Sequence, residues 1–159
     1  MKKLIWSLLC GVLVLITSPS YAQWSITYDY DDCDSASSIC ETTDGGYMVT
    51  GNNGNRANTH HSIWIMKLDT SGNIIHQKNY DGSDYDSTAS IGNTTDGGYV
   101  VAGNTRSFGA GSDDAWVIRL DSSGSILWQK TYGNSNGDHA RSIQQTSDGG
   151  YVVAGDTMP

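Results

Sequence analysis

The sequence predicts an all-β chain assembled from four-stranded antiparallel units, and three observations point to it. The tetrapeptide Asp44-Gly45-Gly46-Tyr47 returns as Asp96-Gly97-Gly98-Tyr99 and again as Asp148-Gly149-Gly150-Tyr151, each copy 52 residues after the last. Between these signals lie short runs of β-branched and aromatic residues, the composition that suits a pleated, half-buried strand. No stretch beyond the first residues holds a 3.6-residue apolar period. Other residues keep the same spacing: Trp64 returns as Trp116, Tyr28 as Tyr80 and Tyr132, and Ile39 as Ile91 and Ile143. A fixed period in this range marks architectures in which one unit cannot bury its apolar face alone.

Residues 1–22 read as an export signal. Lys2 and Lys3 form a basic start, residues 4–16 are apolar apart from Ser7 and Gly11, and Ser20-Tyr21-Ala22 puts small residues where a signal peptidase reads. The apolar run of about 13 residues is short of the ~20 that a membrane-spanning helix needs. Cys10 follows Leu9 and lies too near the start for a lipoprotein signal. Cleavage is expected before Gln23. It leaves residues 23–159 as the repeat region, exported to the periplasm, cell surface or medium, with no membrane span.

That region keeps 7 Lys and Arg against 17 Asp and Glu. Such an acidic surface repels phosphate backbones and anionic lipid, which excludes nucleic acid as a partner and favours solubility. Two cysteines remain, Cys33 and Cys40. An exported chain permits a disulfide. Residues 36–41 read as a strand, however. Seven extended residues span about 23 Å, against the ~7 Å that a disulfide tolerates, so a local bridge requires a bend. The equivalent positions, Tyr85 with Gly92 and Gly137 with Gln144, carry no cysteine.

The strands follow in order. Residues 24–28 form a lone strand. The second copy is the most complete: residues 89–95 lead into Asp96-Gly97-Gly98, residues 99–103 form a strand, and a polar loop spans 104–114. Residues 115–121 form the third strand, with Trp116, Ile118 and Leu120 on one face. Ser122-Ser123-Gly124 turns the chain into the fourth, 125–132, which carries Trp128 and Tyr132. Asp-Gly-Gly supplies residues tolerant of positive φ, as tight hairpins need. Gly72 and Gly124, just ahead of a strand, suit the left-handed position that closes a longer hairpin. The units are then 36–80, 88–132 and a partial one at 140–157, about 2.6 repeats in all. Four antiparallel strands in ~50 residues is the size of one β-propeller blade, and closed propellers need four or more. The chain is therefore expected to be part of a longer protein or to assemble with copies of itself, through unpaired edge strands.

The run Trp116-Val117-Ile118-Arg119-Leu120-Asp121-Ser122-Ser123-Gly124-Ser125-Ile126-Leu127-Trp128 and the stretch Ser147-Asp148-Gly149-Gly150-Tyr151-Val152-Val153-Ala154-Gly155 resemble the bacterial beta-propeller repeat often called the seven-bladed beta-propeller repeat. The resemblance covers residues 24–157. It implies a long exported or surface-attached protein without assigned activity. His76 departs from Trp24 and Trp128, and Ser62 from Asp114. Residues 120–128 also look like the tryptophan hairpin of quinoprotein-type repeats, in which the tryptophan docks blades together. Residues 146–150 look like part of the Asp-box of sialidase propellers, which is structural there; Val152-Val153 replaces its closing pair.

Candidate sites are few. Gly133-Asn134-Ser135-Asn136-Gly137 fits the G-x-S-x-G pattern, but that chemistry needs a strand-to-helix elbow, and a strand is expected next. The loops ahead of the first strand of the first two units are acidic, and the third keeps only Asp138. Asp29, Asp31, Asp81 and Asp84 are the best candidates for Ca²⁺ ligands through hard oxygen atoms, although the glycine and distal Glu of a calcium loop are missing. Asp34, Asp86 and Asp138 recur in register and suit turn-fixing roles. His60 and His61 are adjacent and point apart in an extended chain. The aromatic residues could line a sugar groove, but their register favours packing between units. The expected function is a non-catalytic exported scaffold, or a module binding protein or glycan, with no cofactor beyond this Ca²⁺. The alternative is part of a propeller hydrolase or quinoprotein whose active site lies in further blades.

Overall fold

A computed structural model describes residues 12–17, 22–28, 34–54, 61–80 and 82–158. Among them twelve strands and no helix are found, so none of these residues forms a helix able to cross a membrane. β3 (Ser35–Glu41), β4 (Tyr47–Gly54), β5 (His61–Leu68) and β6 (Ile74–Tyr80) make one four-stranded sheet in chain order. β7 (Asp86–Asn93), β8 (Tyr99–Thr105), β9 (Asp114–Leu120) and β10 (Ile126–Tyr132) make another. β11 (Asp138–Gln145) pairs with β12 (Tyr151–Thr157) in a two-stranded sheet. All pairings within these sheets are antiparallel, and no sheet closes on itself.

One expectation changes at the N-terminus. The strand expected to stand alone at 24–28 is β2 (Ala22–Tyr28), and it pairs antiparallel with β1 (Val12–Thr17). Residues 12–16 are Val-Leu-Val-Leu-Ile, a run whose branched side chains suit a strand as well as an export signal. The pairing gives β2 backbone partners that it would otherwise lack.

The two kinds of hairpin follow from local chemistry. At the Asp-Gly-Gly turns Gly45, Gly97 and Gly149 have φ of 81°, 83° and 86°, left-handed values that cost a residue with a Cβ about 1–2 kcal/mol. The second hairpin is held by an aspartate that caps its own turn. Asp69 Oδ1 accepts from the backbone N–H groups of Ser71 at 2.8 Å and Asn73 at 2.9 Å, and Asp121 Oδ1 from those of Ser123 at 2.9 Å and Ser125 at 2.8 Å.

A bulge recurs in the first strand of every unit. The register skips residue 37 between Ala36 and Ser38, residue 89 between Thr88 and Ser90, and residue 141 between Ala140 and Ser142. Opposite each bulge stands a glycine. A Cβ added at Gly51, Gly103 or Gly155 would lie 1.9 Å from the carbonyl oxygen of Ser35, Ser87 or His139. Close backbone approach, rather than turn geometry, therefore explains this periodic glycine.

The sheets stack face to face, and the core lies between them. Met48, Ile63 and Ile65 of the first four-stranded sheet pack with Trp116, Ile118 and Leu120 of the second. Tyr28 of β2 packs with Trp64, Met66 and Leu68. Ala140 and Ile143 of β11 pack on Val100, Ala102 and Val117. Each central strand thus sends alternate side chains to the two neighbouring sheets, which is why β5 and β9 read as near-continuous apolar runs.

Candidate functional site

Most of the polar side chains that recur in register serve the fold. Lys67 of β5 is buried and donates to Asp44 Oδ1 at 2.7 Å and to the Thr42 hydroxyl. Arg119 stands at the equivalent position in β9 and donates to Asp96 Oδ2 at 2.6 Å. The aspartates of the first two Asp-Gly-Gly turns thus each pair with a cation from the third strand of their own unit. The bonds from Lys67, Thr42 and the Gly46 N–H hold the Asp44 carboxyl well below the usual range. The Thr94 hydroxyl first, then the Gly98 N–H and Arg119, lower that of Asp96. Sequence reasoning assigned the tetrapeptide to turn formation and missed these cations. The signal was present, since a basic residue at 67 and 119 keeps the 52-residue spacing inside otherwise apolar strands.

The acidic loop positions divide. Asp29, Asp31 and Asp81 lie outside the described residues, as do Cys33 and His60. Asp84 is exposed, and its carboxylate accepts from the Tyr85 N–H at 2.7 Å. Among the described residues, no three His, Cys, Asp or Glu side chains gather as a metal would require. Asp86 is buried and accepts from the Gly82 N–H and the Ser107 hydroxyl, both at 2.8 Å. Asp138 accepts from the Asn134 N–H at 2.9 Å. These two aspartates tie down the loops ahead of their strands. Cys40 is a free thiol on β3, and burial pushes its pKa up to about 11.

The G-x-S-x-G pentapeptide leads into β11, so the strand-to-helix elbow is absent. Ser135 is exposed. The neighbouring His139 places Nδ1 3.2 Å from Asp156 Oδ2, and Arg141 Nε donates to Asp156 Oδ1 at 2.6 Å. Arg141 and His139 hold the Asp156 carboxyl at about 2. This cluster joins β11 to β12 across their shared edge.

A concavity lies between β9–β10 and β12. It is a groove of about 610 Å³ walled by Ala115, Val117, Trp128, Tyr132, Tyr151 and Val153, with Lys130 at its rim. Trp128 and Tyr151 meet edge to face with centroids 5.6 Å apart. Lys130 Nζ lies 5.8 Å from the Trp128 ring centroid, within cation–π range. Arg119 Nε donates to the Tyr151 hydroxyl at 3.0 Å and fixes its ring. The groove is apolar and aromatic with a cationic edge, and no carboxylate lines it. The other register aromatics are spent inside: Trp64, Trp116, Tyr80 and Tyr99 are buried between sheets.

No protein-family model matches the chain, and no curated protein matches it. A solved structure with a similar fold is a protein of unknown function from Bacteroides caccae, with a TM-score of 0.58 and 15% sequence identity. The similarity covers 91% of this chain and 46% of that one, so this chain spans about half the length of that protein. At that identity the likeness concerns the fold alone.

Proposed function

We propose that this chain is an exported, non-catalytic scaffold built of β-propeller-type repeats, and that the groove at Trp128 and Tyr151 takes a protein partner. The observation that carries the reading is the character of the groove at Trp128 and Tyr151. It offers aromatic and aliphatic surface with a cationic side chain against it, the kind of surface on which aromatic anchors hold a protein partner. Its titratable side chains are Lys130, Tyr132 and Tyr151, with no carboxylate, histidine, serine or cysteine in its lining. The aspartates that recur in register and could have served chemistry are bonded into turns or to Lys67 and Arg119. Export is supported by the basic start and the apolar run of residues 4–16.

The reading is tested with the purified chain on a glycan array and on chromogenic esters, glycosides and phosphoesters. A scaffold that takes protein gives neither glycan retention nor turnover. Glycan retention abolished by Trp128→Ala would make the groove a lectin site. Turnover abolished by a single substitution in the chain would make the protein an enzyme.

A further inference from the structure

We propose that Asn136 is a site of spontaneous covalent modification, in which its side-chain amide is lost by cyclisation onto the backbone nitrogen of Gly137. The Gly137 nitrogen gives up its proton and attacks Asn136 Cγ. The new C–N bond closes a succinimide ring, and the amide nitrogen leaves as ammonia. Water then adds to one of the two ring carbonyls and breaks the C–N bond there. Opening at the side-chain carbonyl gives aspartate on an ordinary backbone. Opening at the main-chain carbonyl routes the backbone through the side chain and gives isoaspartate. Water is the only co-reactant, and the step is independent of what the groove at Trp128 takes.

The sequence holds two Asn-Gly pairs, Asn53-Gly54 and Asn136-Gly137. A glycine after asparagine favours the cyclisation, because no Cβ shields its nitrogen and its backbone turns freely. The fold treats the two pairs differently. Asn53 is buried within β4, where it faces Ser62 of β5 while Gly54 faces His61. An extended, paired strand holds the next nitrogen away from the side chain. Asn136 is exposed, in the loop between β10 and β11. Its own N–H donates to Asn134 Oδ1 at 2.9 Å, and its side-chain amide is bonded to none of the described residues. The backbone bonds around it run from the Asp138 N–H to the Asp113 carbonyl and from the Met158 N–H to the Gly137 carbonyl, both at 2.7 Å. Neither engages the Gly137 nitrogen.

The repeat register supports the same residue. Asn136 stands where the first two copies carry Asp32 and Asp84, so hydrolysis to aspartate gives the third copy the residue that the others already have. Asp84, in the loop that joins the two four-stranded sheets, is exposed as well. Exposure at this position therefore belongs to the loop and not to its place in the stack. Asp84 also shows the approach that cyclisation starts from, since its Oδ1 accepts from the N–H of the next residue, Tyr85, at 2.7 Å. A side chain at this position reaches the nitrogen that follows it. In the second copy that nitrogen belongs to a tyrosine; in the third it belongs to a glycine.

The products change a junction between units. The loop packs against residues 109–114, where a Cβ added at Gly111 would lie 2.3 Å from the Asn134 carbonyl oxygen and 2.5 Å from that of Asn136. Asp114 and Asp138 already converge there, since a Cβ added at Gly133 would lie 2.3 Å from Asp114 Oδ1 and 2.9 Å from Asp138 Oδ2. Aspartate at 136 adds a negative charge to this loop. Isoaspartate also lengthens the backbone just ahead of the Gly137 carbonyl and so displaces it from the Met158 N–H. Conversion to isoaspartate is therefore expected to loosen the start of β11 more than conversion to aspartate.

The experiment is a time course of the folded full chain at neutral and mildly alkaline pH, read by tryptic peptide mass spectrometry against a fresh digest. Cleavage after Lys130 and Arg141 releases residues 131–141, and cleavage after Arg56 frees the peptide that holds Asn53. In the folded chain, peptide 131–141 is expected to gain the mass of an amide replaced by an acid, with fragmentation placing the gain and the isoaspartate at 136. The gain should be faster at the higher pH, and the peptide ending at Arg56 should stay unchanged. In urea both Asn-Gly pairs are expected to convert. Gly137→Ala should slow the gain severalfold while keeping the circular dichroism of the parent, because the added Cβ meets His139 and Met158 only at 3.7 Å, an ordinary contact. A folded chain whose peptide 131–141 stays unmodified while the unfolded chain converts overturns the proposal. So does a gain that maps to Asn134, a folded chain that converts Asn53 as fast as Asn136, or a Gly137→Ala variant that converts as fast as the parent.

Discussion

At the scale of single residues, glycines with the same spacing do different work. Gly97 has positive φ, and an added Cβ would meet nothing within 4 Å. Gly103 faces the bulge, where the same atom would lie 1.9 Å from the Ser87 carbonyl oxygen. Gly97→Ala is therefore expected to cost about 1 kcal/mol of backbone strain. Gly103→Ala is expected to cost about 3 kcal/mol, because backbone must move. Thermal melts of the two variants separate the mechanisms. Asp44 makes a second prediction. Its carboxyl is depressed in the folded chain by Lys67 and Thr42. The stability it contributes is fully present above the unfolded carboxylate value of about 3.9, and it is lost as pH falls through the depressed folded value. The melting temperature should fall steeply below pH 4. Asp44→Asn should lower it at neutral pH and flatten the acid limb. An unchanged acid limb would mean that the Lys67–Asp44 pair does not contribute.

At the scale of elements, two of the sheet junctions are pinned by one tyrosine each. Tyr28 donates its hydroxyl to the Gly72 carbonyl, and Tyr80 donates to that of Gly124. In both cases the fourth strand of one unit reaches the second hairpin of the next. Burial pushes the Tyr80 hydroxyl up to about 12, with Asp121 adding to the shift, so it donates throughout the physiological range. Tyr80→Phe leaves a buried carbonyl without its donor and is expected to cost about 1 kcal/mol. Tyr132→Phe, at the exposed equivalent, should stay within about 0.5 kcal/mol in dilute solution. Equal losses would show that the hydroxyl is not the pin.

At the scale of the whole molecule, stability is a sum of sheet-to-sheet contacts, as in other stacked repeats. Each sheet buries one face against the sheet before it and one against the sheet after it. The ends of such a stack are therefore its apolar surfaces, seen here as Ile39 at one end and Val152, Val153 and Tyr132 at the other.

The sequence by itself determined the strands and their turns. Period-2 alternation in 115–121, Asp-Gly-Gly at fixed spacing and Gly ahead of the fourth strand are local signals, because a turn's dihedral demands and a strand's pleat act on neighbouring residues. The observed β3 to β12 follow from them within about three residues, the largest difference being at the start of β7, Asp86 against the expected 89. The second partner of each residue was not legible. Gly51, Gly103 and Gly155 carry no mark that a carbonyl from the facing strand lies against them; the basic residues at 67 and 119 repeat in register, but nothing local says that they reach Asp44 and Asp96. The groove was hidden for the same reason. Trp128 and Tyr151 share the register of residues that are buried elsewhere, and only the stacking order leaves them at an uncovered end. Side-chain periodicity fixes which face of a strand is apolar; what covers that face is settled by contacts between residues far apart in the chain.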